Sequence, residues 1–233
     1  MGIAAILLCG GKGTRMIKGG EITHKPLLEV GGMPATKFVA KKLQEGFSFS
    51  QTLIVVPNGR EREYQIAMTG IDCQIITQYL PLGTGNAVYE SLKYLNEDIE
   101  DIYVSFGTQP LIRNETVQGC LKIHKDIKSD FTLATVVMND PYAPLIRDDL
   151  GNVIESLETH LDGANTPSRG ETNVGSYWAS RNALQHILVQ LHDELFSEKK
   201  EIARGGRYDD LLKSLGAKKN IPAVGAAINL KNI

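Results

Sequence analysis

The amino-acid sequence predicts an α/β protein, built as a layered α/β/α arrangement around one mixed sheet. Three observations predict this fold class: short apolar runs of strand length recur, stretches with helical spacing separate the early runs, and glycine-rich turns follow several of them. The chain has 233 residues, which suits a single domain with a sizeable buried core. We therefore expect parallel βαβ units in the first half of the chain.

Six apolar runs give the expected strands, and each is rich in residues that favour extended backbone. They lie at 3–8, 53–56, 74–77, 102–106, 133–138 and 175–179. Helical spacing falls between the early runs. Pro34 stands where a first helical turn would begin, and Gly46 stands where that helix would end. The other expected helices lie near 66–68, at 87–95, at 117–123 and at 183–195.

The second half of the chain follows a different rhythm. Prolines, glycines and aspartates interrupt the runs from about Asp140, which predicts hairpins or an excursion over the sheet. A charged stretch at 197–206 predicts a loop, and a helix at 211–215 and a strand at 223–228 close the chain. No linker divides the sequence, so we expect one domain over 1–233.

The loop after the first strand has the composition of a phosphate-binding site. Gly10, Gly11 and Gly13 follow that strand, and Arg15 and Lys25 supply two cations. Glycine lets the backbone approach a ligand and turn its N–H groups inward, while Arg and Lys neutralise phosphates. The pattern has neither the ending of a Walker loop nor the glycine spacing of a dinucleotide fingerprint. It therefore predicts a nucleotide-phosphate cradle of another type and argues against an oxidoreductase.

Three loops are expected to share one cleft. Ligands of open α/β sheets bind outside the carboxyl ends of the parallel strands. The loops after the first, third and fourth predicted strands lie at 9–15, 78–85 and 107–111, and all are rich in Gly, Thr and Gln. The sequence therefore predicts a small-molecule site at this edge of the sheet.

Composition excludes several classes of protein. The net charge of −2 and the pI near 6.2 give no sign of a nucleic-acid partner. Cys9, Cys73 and Cys120 are odd in number and far apart, which favours a reducing compartment over a disulfide framework or a zinc site. No apolar run approaches the roughly 20 residues of a membrane span. We expect a cytoplasmic protein with no membrane partner, and a homo-oligomer stays open.

The motifs taken together resemble those of the sugar-1-phosphate nucleotidyltransferases. LLCGGKGTRM followed by HKPLLEVGGMP is similar to the family's N-terminal signature, and QYLPLGTGNAV is similar to its base-reading loop. VSFGTQPLI, GNVIESLE, ETNVGSYWAS and GAAINLKNI resemble later family segments in the same order. The resemblance implies a Rossmann-like fold of the nucleotide-diphospho-sugar transferase type. It also implies a nucleotide-binding half at 1–139, and a sugar-binding half with a terminal strand at 140–233.

Residue by residue, the resemblance implies a site for a nucleoside triphosphate and a sugar phosphate. Arg15 and Lys25 would be the catalytic cations, because such a transfer needs positioning and charge neutralisation rather than a nucleophilic side chain. The residues implied in nucleotide binding lie in two loops: Leu8, Gly10, Gly11, Gly13, Thr14, Gln78, Gly83 and Thr84. Glu158 and Asn173 would contact the sugar.

The metal site implied by the resemblance departs from the family pattern. Thr108 stands where the family has a magnesium-ligand Asp, and Asn229 stands at the second ligand position. Mg²⁺ is usually held by one or two carboxylates together with substrate phosphates. With two neutral residues, the phosphates would supply nearly all of the negative charge around Mg²⁺. Asp140 or Asp210 could substitute, and the sequence leaves their positions open.

Three functions remain open from the sequence. The first is nucleotidyl transfer from a nucleoside triphosphate to a sugar 1-phosphate, which Arg15 and Lys25 favour. The alternative is a weak or inactive regulatory homologue that binds nucleotides or nucleotide sugars, which Thr108 favours. The third is transfer to another phosphorylated acceptor, such as a polyol or an aminoalcohol, on the same fold.

Overall fold

A computed structural model describes residues 2–11, 17–18, 21–22, 24–157 and 167–198. The strands in chain order are β1 (Gly2–Leu8), β2 (Ile17–Lys18), β3 (Glu21–Ile22), β4 (Glu29–Val30), β5 (Met33–Pro34), β6 (Gln51–Pro57), β7 (Gln74–Gln78), β8 (Ile99–Phe106), β9 (Phe131–Asn139), β10 (Leu145–Arg147), β11 (Val153–Ser156) and β12 (Arg169–Ser180). The helices are α1 (Ala35–Gly46), α2 (Glu61–Ala67), α3 (Thr84–Leu92), α4 (Asn114–Asp126) and α5 (Arg181–Glu198). A 3₁₀ turn covers Lys25–Leu27.

The central sheet has six strands in the order β7-β6-β1-β8-β12-β9. The first four are parallel to one another, whereas β12 is antiparallel to both of its neighbours. Leu8 lies level with Val55 of β6 and with Phe106 of β8, so these parallel strands end together at one edge. Because β12 runs in the opposite direction, its first half reaches the same edge. The topology thus gathers loops from both halves of the chain at one place.

Strand β1 separates two hydrophobic layers. Ala4, Ile6 and Leu8 face one layer, which α3 and α5 cover, while Ala5 and Leu7 face the other, which α1, α2 and α4 cover. A strand that is buried on both faces has an uninterrupted apolar sequence, as β1 does. This arrangement confirms the predicted α/β/α fold class.

Within the described residues the predicted elements agree with the structure in type but differ in their bounds, most of all at the strand predicted at 175–179, which begins at Arg169. Val117 of α4 is buried, but Ile123, which we placed in the same pattern, is 54% exposed. Ile123 lies six residues from Val117, and the i, i+3 and i+4 relations that share a face leave it on the other side. Residues 197 and 198, which we expected in a loop, belong to α5, and the rest of that predicted loop lies outside the described residues. The expected elements at 211–215 and 223–228 lie outside the described residues.

The predicted excursion over 140–170 contains a hairpin. Strands β10 and β11 pair antiparallel, and Arg147 binds Glu171 of β12 through two hydrogen bonds of 2.7 and 2.8 Å. The hairpin is thereby fixed to the part of β12 that reaches the loop edge. Within the described ranges, no helix combines the length and apolarity that crossing a membrane requires. The boundary between the halves 1–139 and 140–233 stays a prediction.

Because two histidines are buried, we predict that the fold is less stable in acid. Burial lowers the pKa of His24, and the charge of Arg60 adds to this effect. Burial also lowers the pKa of His124, although Asp101 opposes the shift. The unfolded chain binds protons below the ordinary histidine pKa of 6.5, whereas the folded chain does not. We expect the free energy of unfolding, measured with urea, to fall from pH 6.5 toward the lowered pKa values. A constant free energy between pH 7.5 and 5 would contradict this expectation.

Candidate nucleotide site

The described parts of the three predicted loops meet at the carboxyl edge of the sheet. A Cβ atom added at Gly10 would lie 2.7 Å from Oε1 of Gln78, so the loop after β1 contacts the end of β7. The backbone N–H of Gly107 donates to the Leu8 carbonyl at 3.0 Å, which joins the loop after β8 to the end of β1. The expectation that the three loops share one place is therefore confirmed for these residues.

Exposed glycine backbone forms the described part of the phosphate loop. Gly10 and Gly11 are both exposed, and Gly11 has φ of 118°, a conformation that favours glycine. Leu8 precedes them, and its side chain is buried in the core, so its backbone alone is available to a ligand. Gly13, Thr14 and Arg15 lie outside the described residues, and their predicted roles stay predictions.

Lys25 begins the 3₁₀ turn and has an exposed side chain, while both of its neighbours are buried. Pro26 suits the first turn because its fixed φ is already helical. The Leu28 N–H donates to the Lys25 carbonyl at 3.2 Å and closes the turn. The turn therefore holds a cation at the surface on a backbone that is anchored on either side.

The side chain of Gln78 is committed to contacts inside the protein. It is 5% exposed, and its amide nitrogen donates to the Gly83 carbonyl at 3.0 Å and to Oδ1 of Asn86 at 2.8 Å. Both amide hydrogens are thus in use, and the bonds hold the 79–83 loop against β7. Gly83 has φ of 105° before α3, and Thr84, the first residue of α3, is exposed. A contact between Gln78 and a base stays a prediction, as do the roles of Gly83 and Thr84.

The loop at Thr108 is organised by its neighbour Gln109. Oε1 of Gln109 accepts from the Ser105 hydroxyl at 3.1 Å and from the Phe106 N–H at 3.4 Å. Its Nε2 donates to the Val174 carbonyl at 2.6 Å, which joins this loop to β12. Thr108 itself is half-buried. Among the residues described, no three His, Cys, Asp or Glu side chains form a cluster that could hold a metal ion.

Asn173 shapes the segment of β12 that faces this loop. Its Nδ2 donates to the Tyr177 hydroxyl at 2.8 Å, and its Oδ1 accepts from the Gly175 N–H at 2.8 Å. Gly175 has φ of 74°, and an added Cβ would lie 2.7 Å from Nε2 of Gln109. The asparagine–glycine pair therefore lets the backbone of β12 approach the side chains of Gln109 and Phe106 closely. Whether Asn173 also contacts a sugar stays a prediction, and Glu158 and Asn229 lie outside the described residues.

Sequence reasoning missed a buried polar cluster beneath the site. His24, Tyr64, Cys9 and Thr36 are all buried. The Tyr64 hydroxyl lies 2.8 Å from Nδ1 of His24, and Sγ of Cys9 lies 3.4 Å from the Thr36 hydroxyl. Burial raises the pKa of the Cys9 thiol to about 12, so the thiol is neutral near pH 7 and is a poor nucleophile. The signal that could have identified the cluster is weak, since these residues are up to 55 positions apart in the sequence.

A model of one protein family matches most of the chain. Residues 5–172 match the MobA-like NTP transferase domain. The bifunctional protein GlmU of Alcanivorax borkumensis is 32% identical over 193 residues, which cover 82% of this chain and 41% of that protein. GlmU of Listeria monocytogenes is 27% identical over 239 residues, which cover 96% of this chain and 51% of that protein. The chain thus spans about two fifths to one half of the length of these relatives.

Solved structures of the same fold exist. The 4-diphosphocytidyl-2C-methyl-D-erythritol synthase of Anaerococcus prevotii superposes with a TM-score of 0.59 at 15% identity, covering 98% of this chain and 90% of that one. HddC of Yersinia pseudotuberculosis, complexed with GMP-PN, superposes with a TM-score of 0.58 at 20% identity, covering 78% of each chain. At these identities the likeness concerns the fold, and it agrees with the nucleotide-diphospho-sugar transferase type expected from the sequence.

Proposed function

The chain belongs to the MobA-like NTP transferase family, and on this basis we propose that it transfers a nucleotidyl group from a nucleoside triphosphate to a sugar 1-phosphate. The single observation that carries the proposal is the geometry at one sheet edge. There the exposed backbone of Gly10 and Gly11 follows β1, and the loop that ends at Gly83 follows β7, two strands away in the same sheet. The turn that carries Lys25 is held beside them by the bond between His24 and the Gly11 carbonyl. Such an edge is where nucleotides bind in this class of sheet.

The transfer itself needs little covalent chemistry from the protein. An oxygen of the acceptor phosphate forms a bond to the α-phosphorus, the bond from that phosphorus to the β-phosphate oxygen breaks, and pyrophosphate leaves with the electron pair. The exposed glycine backbone would bind the triphosphate, and Lys25 would stabilise charge near the reacting phosphorus. Arg15 is proposed to bind the β- and γ-phosphates. The neutral, buried thiol of Cys9 takes no part.

We propose Mg²⁺ as the cofactor of this transfer. The described residues, however, do not supply enough ligands to hold the ion without the substrate. The donor at the first expected position is the hydroxyl of Thr108, and the described residues contain no group of three His, Cys, Asp or Glu side chains that could hold a metal ion. Hydroxyl oxygen carries no charge to compensate for dehydration of the ion. Of the two expected ligand positions only Thr108 lies among the described residues, and a magnesium ion beside it would take its compensating charge from the nucleotide phosphates.

We predict that Thr108→Asp lowers the magnesium concentration required for half-maximal turnover by about tenfold, which corresponds to about 1.4 kcal/mol. The added carboxylate supplies the charge that the threonine hydroxyl lacks. Thr108→Asn is the matched control, because asparagine has the shape of aspartate without its charge. We expect this variant to require the same magnesium concentration as the wild type. Equal magnesium requirements in the aspartate and asparagine variants would show that position 108 is not near the metal.

Two further candidate functions are each favoured by a specific observation. The neutral Thr108 favours a regulatory homologue that binds a nucleotide or nucleotide sugar and turns it over weakly or not at all. The structural similarity to a protein whose name contains methyl-D-erythritol supports a phosphorylated polyol as the acceptor in place of a sugar phosphate. Nucleotide as a partner is supported by the GMP-PN complex of HddC. A cytoplasmic location and a homo-oligomer stay predictions.

The test is a screen of four nucleoside triphosphates against sugar 1-phosphates, phosphorylated polyols and phosphorylated aminoalcohols, with pyrophosphate release as the readout. We expect release that depends on both a nucleotide and a sugar 1-phosphate. Release only with a polyol or aminoalcohol phosphate would transfer the proposal to that acceptor class. Nucleotide binding without release from any pair would instead support the regulatory homologue.

A further inference from the structure

A path of buried polar side chains runs beneath the site and contacts it at three points. Its first half is hydrogen-bonded from the Gly11 carbonyl through His24 to Tyr64. Its second half begins at Cys9, whose Sγ lies 3.4 Å from the Thr36 hydroxyl. From there it ends at the carbonyls of Pro26 and Gly107. The three ends lie in the phosphate loop, in the turn of Lys25 and in the loop of Thr108. All four side chains of the path are buried.

The geometry determines which nitrogen of His24 carries its proton. The Gly11 carbonyl, 3.2 Å from Nε2, can only accept a hydrogen bond, so Nε2 is the donor. Nδ1 lies 2.8 Å from the Tyr64 hydroxyl and accepts from it when the ring is neutral. Burial and the charge of Arg60 lower the pKa of His24, which keeps the ring neutral near pH 7. Tyr64 therefore holds the imidazole in the tautomer that donates to the phosphate loop.

The second half of the path fixes the other side of Lys25. The Thr36 hydroxyl donates to the Pro26 carbonyl at 2.9 Å and lies 3.3 Å from the Gly107 carbonyl. It is also 3.4 Å from Sγ of Cys9. Lys25 thus stands between two buried residues: His24, which is bonded to Gly11, and Pro26, which is bonded to Thr36 of α1.

We propose that His24 is a positioning residue, which through its Nε2–H bond to Gly11 and its Nδ1 contact with Tyr64 sets Lys25 relative to the phosphate loop. The proposal rests on the nucleotidyl transfer proposed above. The side chain of His24 is buried, so His24 acts through the backbone on either side of it. A misplacement of about 1 Å at a reacting centre can reduce a rate by about a hundredfold, so a small shift of the turn is sufficient for a large effect.

Three substitutions of His24 separate its two hydrogen bonds. In His24→Gln the amide nitrogen occupies the position of Nε2 and can still donate to Gly11. In His24→Asn the shorter amide reaches only toward Tyr64, and His24→Ala removes both bonds. We expect kcat to fall about ten- to a hundredfold in the asparagine and alanine variants, with KM for the nucleotide changed less than about threefold. The glutamine variant is expected to stay within about threefold of the wild-type kcat.

A second readout does not require turnover. The N–H groups of Leu27 and Leu28 donate to the carbonyls of His24 and Lys25 and so report on the turn. Their hydrogen exchange in the free protein should be faster in His24→Asn than in His24→Gln. If kcat stays within threefold in all three variants, or if the glutamine variant is as slow as the alanine variant, the proposal is overturned.

Failure of the two proposals can be told apart. A wild-type chain that releases no pyrophosphate contradicts the proposed function, and exchange at Leu27 and Leu28 then decides whether His24 holds the turn. Equal exchange in the asparagine and glutamine variants would overturn the positioning role under either outcome. Tyr64→Phe keeps the ring and removes the hydroxyl, and we expect it to lower kcat in the same direction as His24→Asn. An unchanged kcat in folded Tyr64→Phe would contradict the role assigned to Tyr64.

Discussion

Lys25→Ala is expected to lower kcat at least about a hundredfold, the range observed when one charge-stabilising group of a preorganised site is removed. Lys25 is exposed, while its two neighbours in sequence are buried. His24 bonds to the Gly11 carbonyl, and the Pro26 carbonyl accepts from the Thr36 hydroxyl, which lies 3.3 Å from the Gly107 carbonyl. Its ammonium group therefore reaches the edge on an anchored backbone, and its loss leaves developing phosphate charge unbalanced. Arg15→Ala is expected to have an effect of similar size.

Lys41→Ala is the matched control for this loss. Lys41 lies on α1 with an exposed side chain 3.8 Å from Glu45, and a surface pair of this kind contributes little to stability. We expect its pyrophosphate release, measured at saturating substrates, to equal that of the wild type. Near-normal release by Lys25→Ala would show that this lysine lies away from the reacting phosphates.

Gly107→Ala is expected to lower the free energy of unfolding by about 1–3 kcal/mol, as is usual when a packed interior receives an extra methyl group. An added Cβ would lie 2.5 Å from Sγ of Cys9 and 2.7 Å from Oγ1 of Thr36. Both of those side chains are buried, so neither can move into solvent. The same displacement would separate Thr36 from the Gly107 carbonyl, so we expect turnover to fall together with stability.

Gly119→Ala is expected not to lower the free energy of unfolding, in contrast to Gly107→Ala. Gly119 is an exposed residue within α4, and a Cβ there would meet no atom within 4 Å. Alanine favours helix over glycine by about 1 kcal/mol, so this variant should be as stable as the wild type or more stable. Urea unfolding of both variants gives the comparison, and equal stabilities would contradict the packing described around Gly107.

The sequence was sufficient to predict the fold class, because the apolar pattern of each strand lies within the strand itself. The uninterrupted apolar run of β1 predicts burial on both faces, and Pro34 and Gly46 mark the ends of α1. The fold class and the NTP transferase family are confirmed, whereas catalysis by this chain stays a proposal. The reversed direction of β12 was not predicted, since it depends on how the 140–170 excursion returns to the sheet rather than on residues within the strand.

The site was predicted less completely, because its supporting contacts join distant residues. His24 and Tyr64 are 40 positions apart, and neither stands in a pattern that marks it. The need for glycine at 107 and at 175 likewise arises from side chains across the fold, Cys9 and Gln109. Local sequence shows which loops contain glycine and cations. It does not show which buried polar groups hold those loops in position relative to one another.

The central claim is that the α-phosphorus is transferred, and the fate of a label at that atom tests it most directly. The nucleoside triphosphate carries ³²P at the α-position and is incubated with the acceptor that gives release in the screen. We predict that the label appears in a product that contains the acceptor phosphate, with one unlabelled pyrophosphate for each product formed. Label that appears in a nucleoside diphosphate, with inorganic phosphate released and the acceptor unlabelled, would contradict the claim.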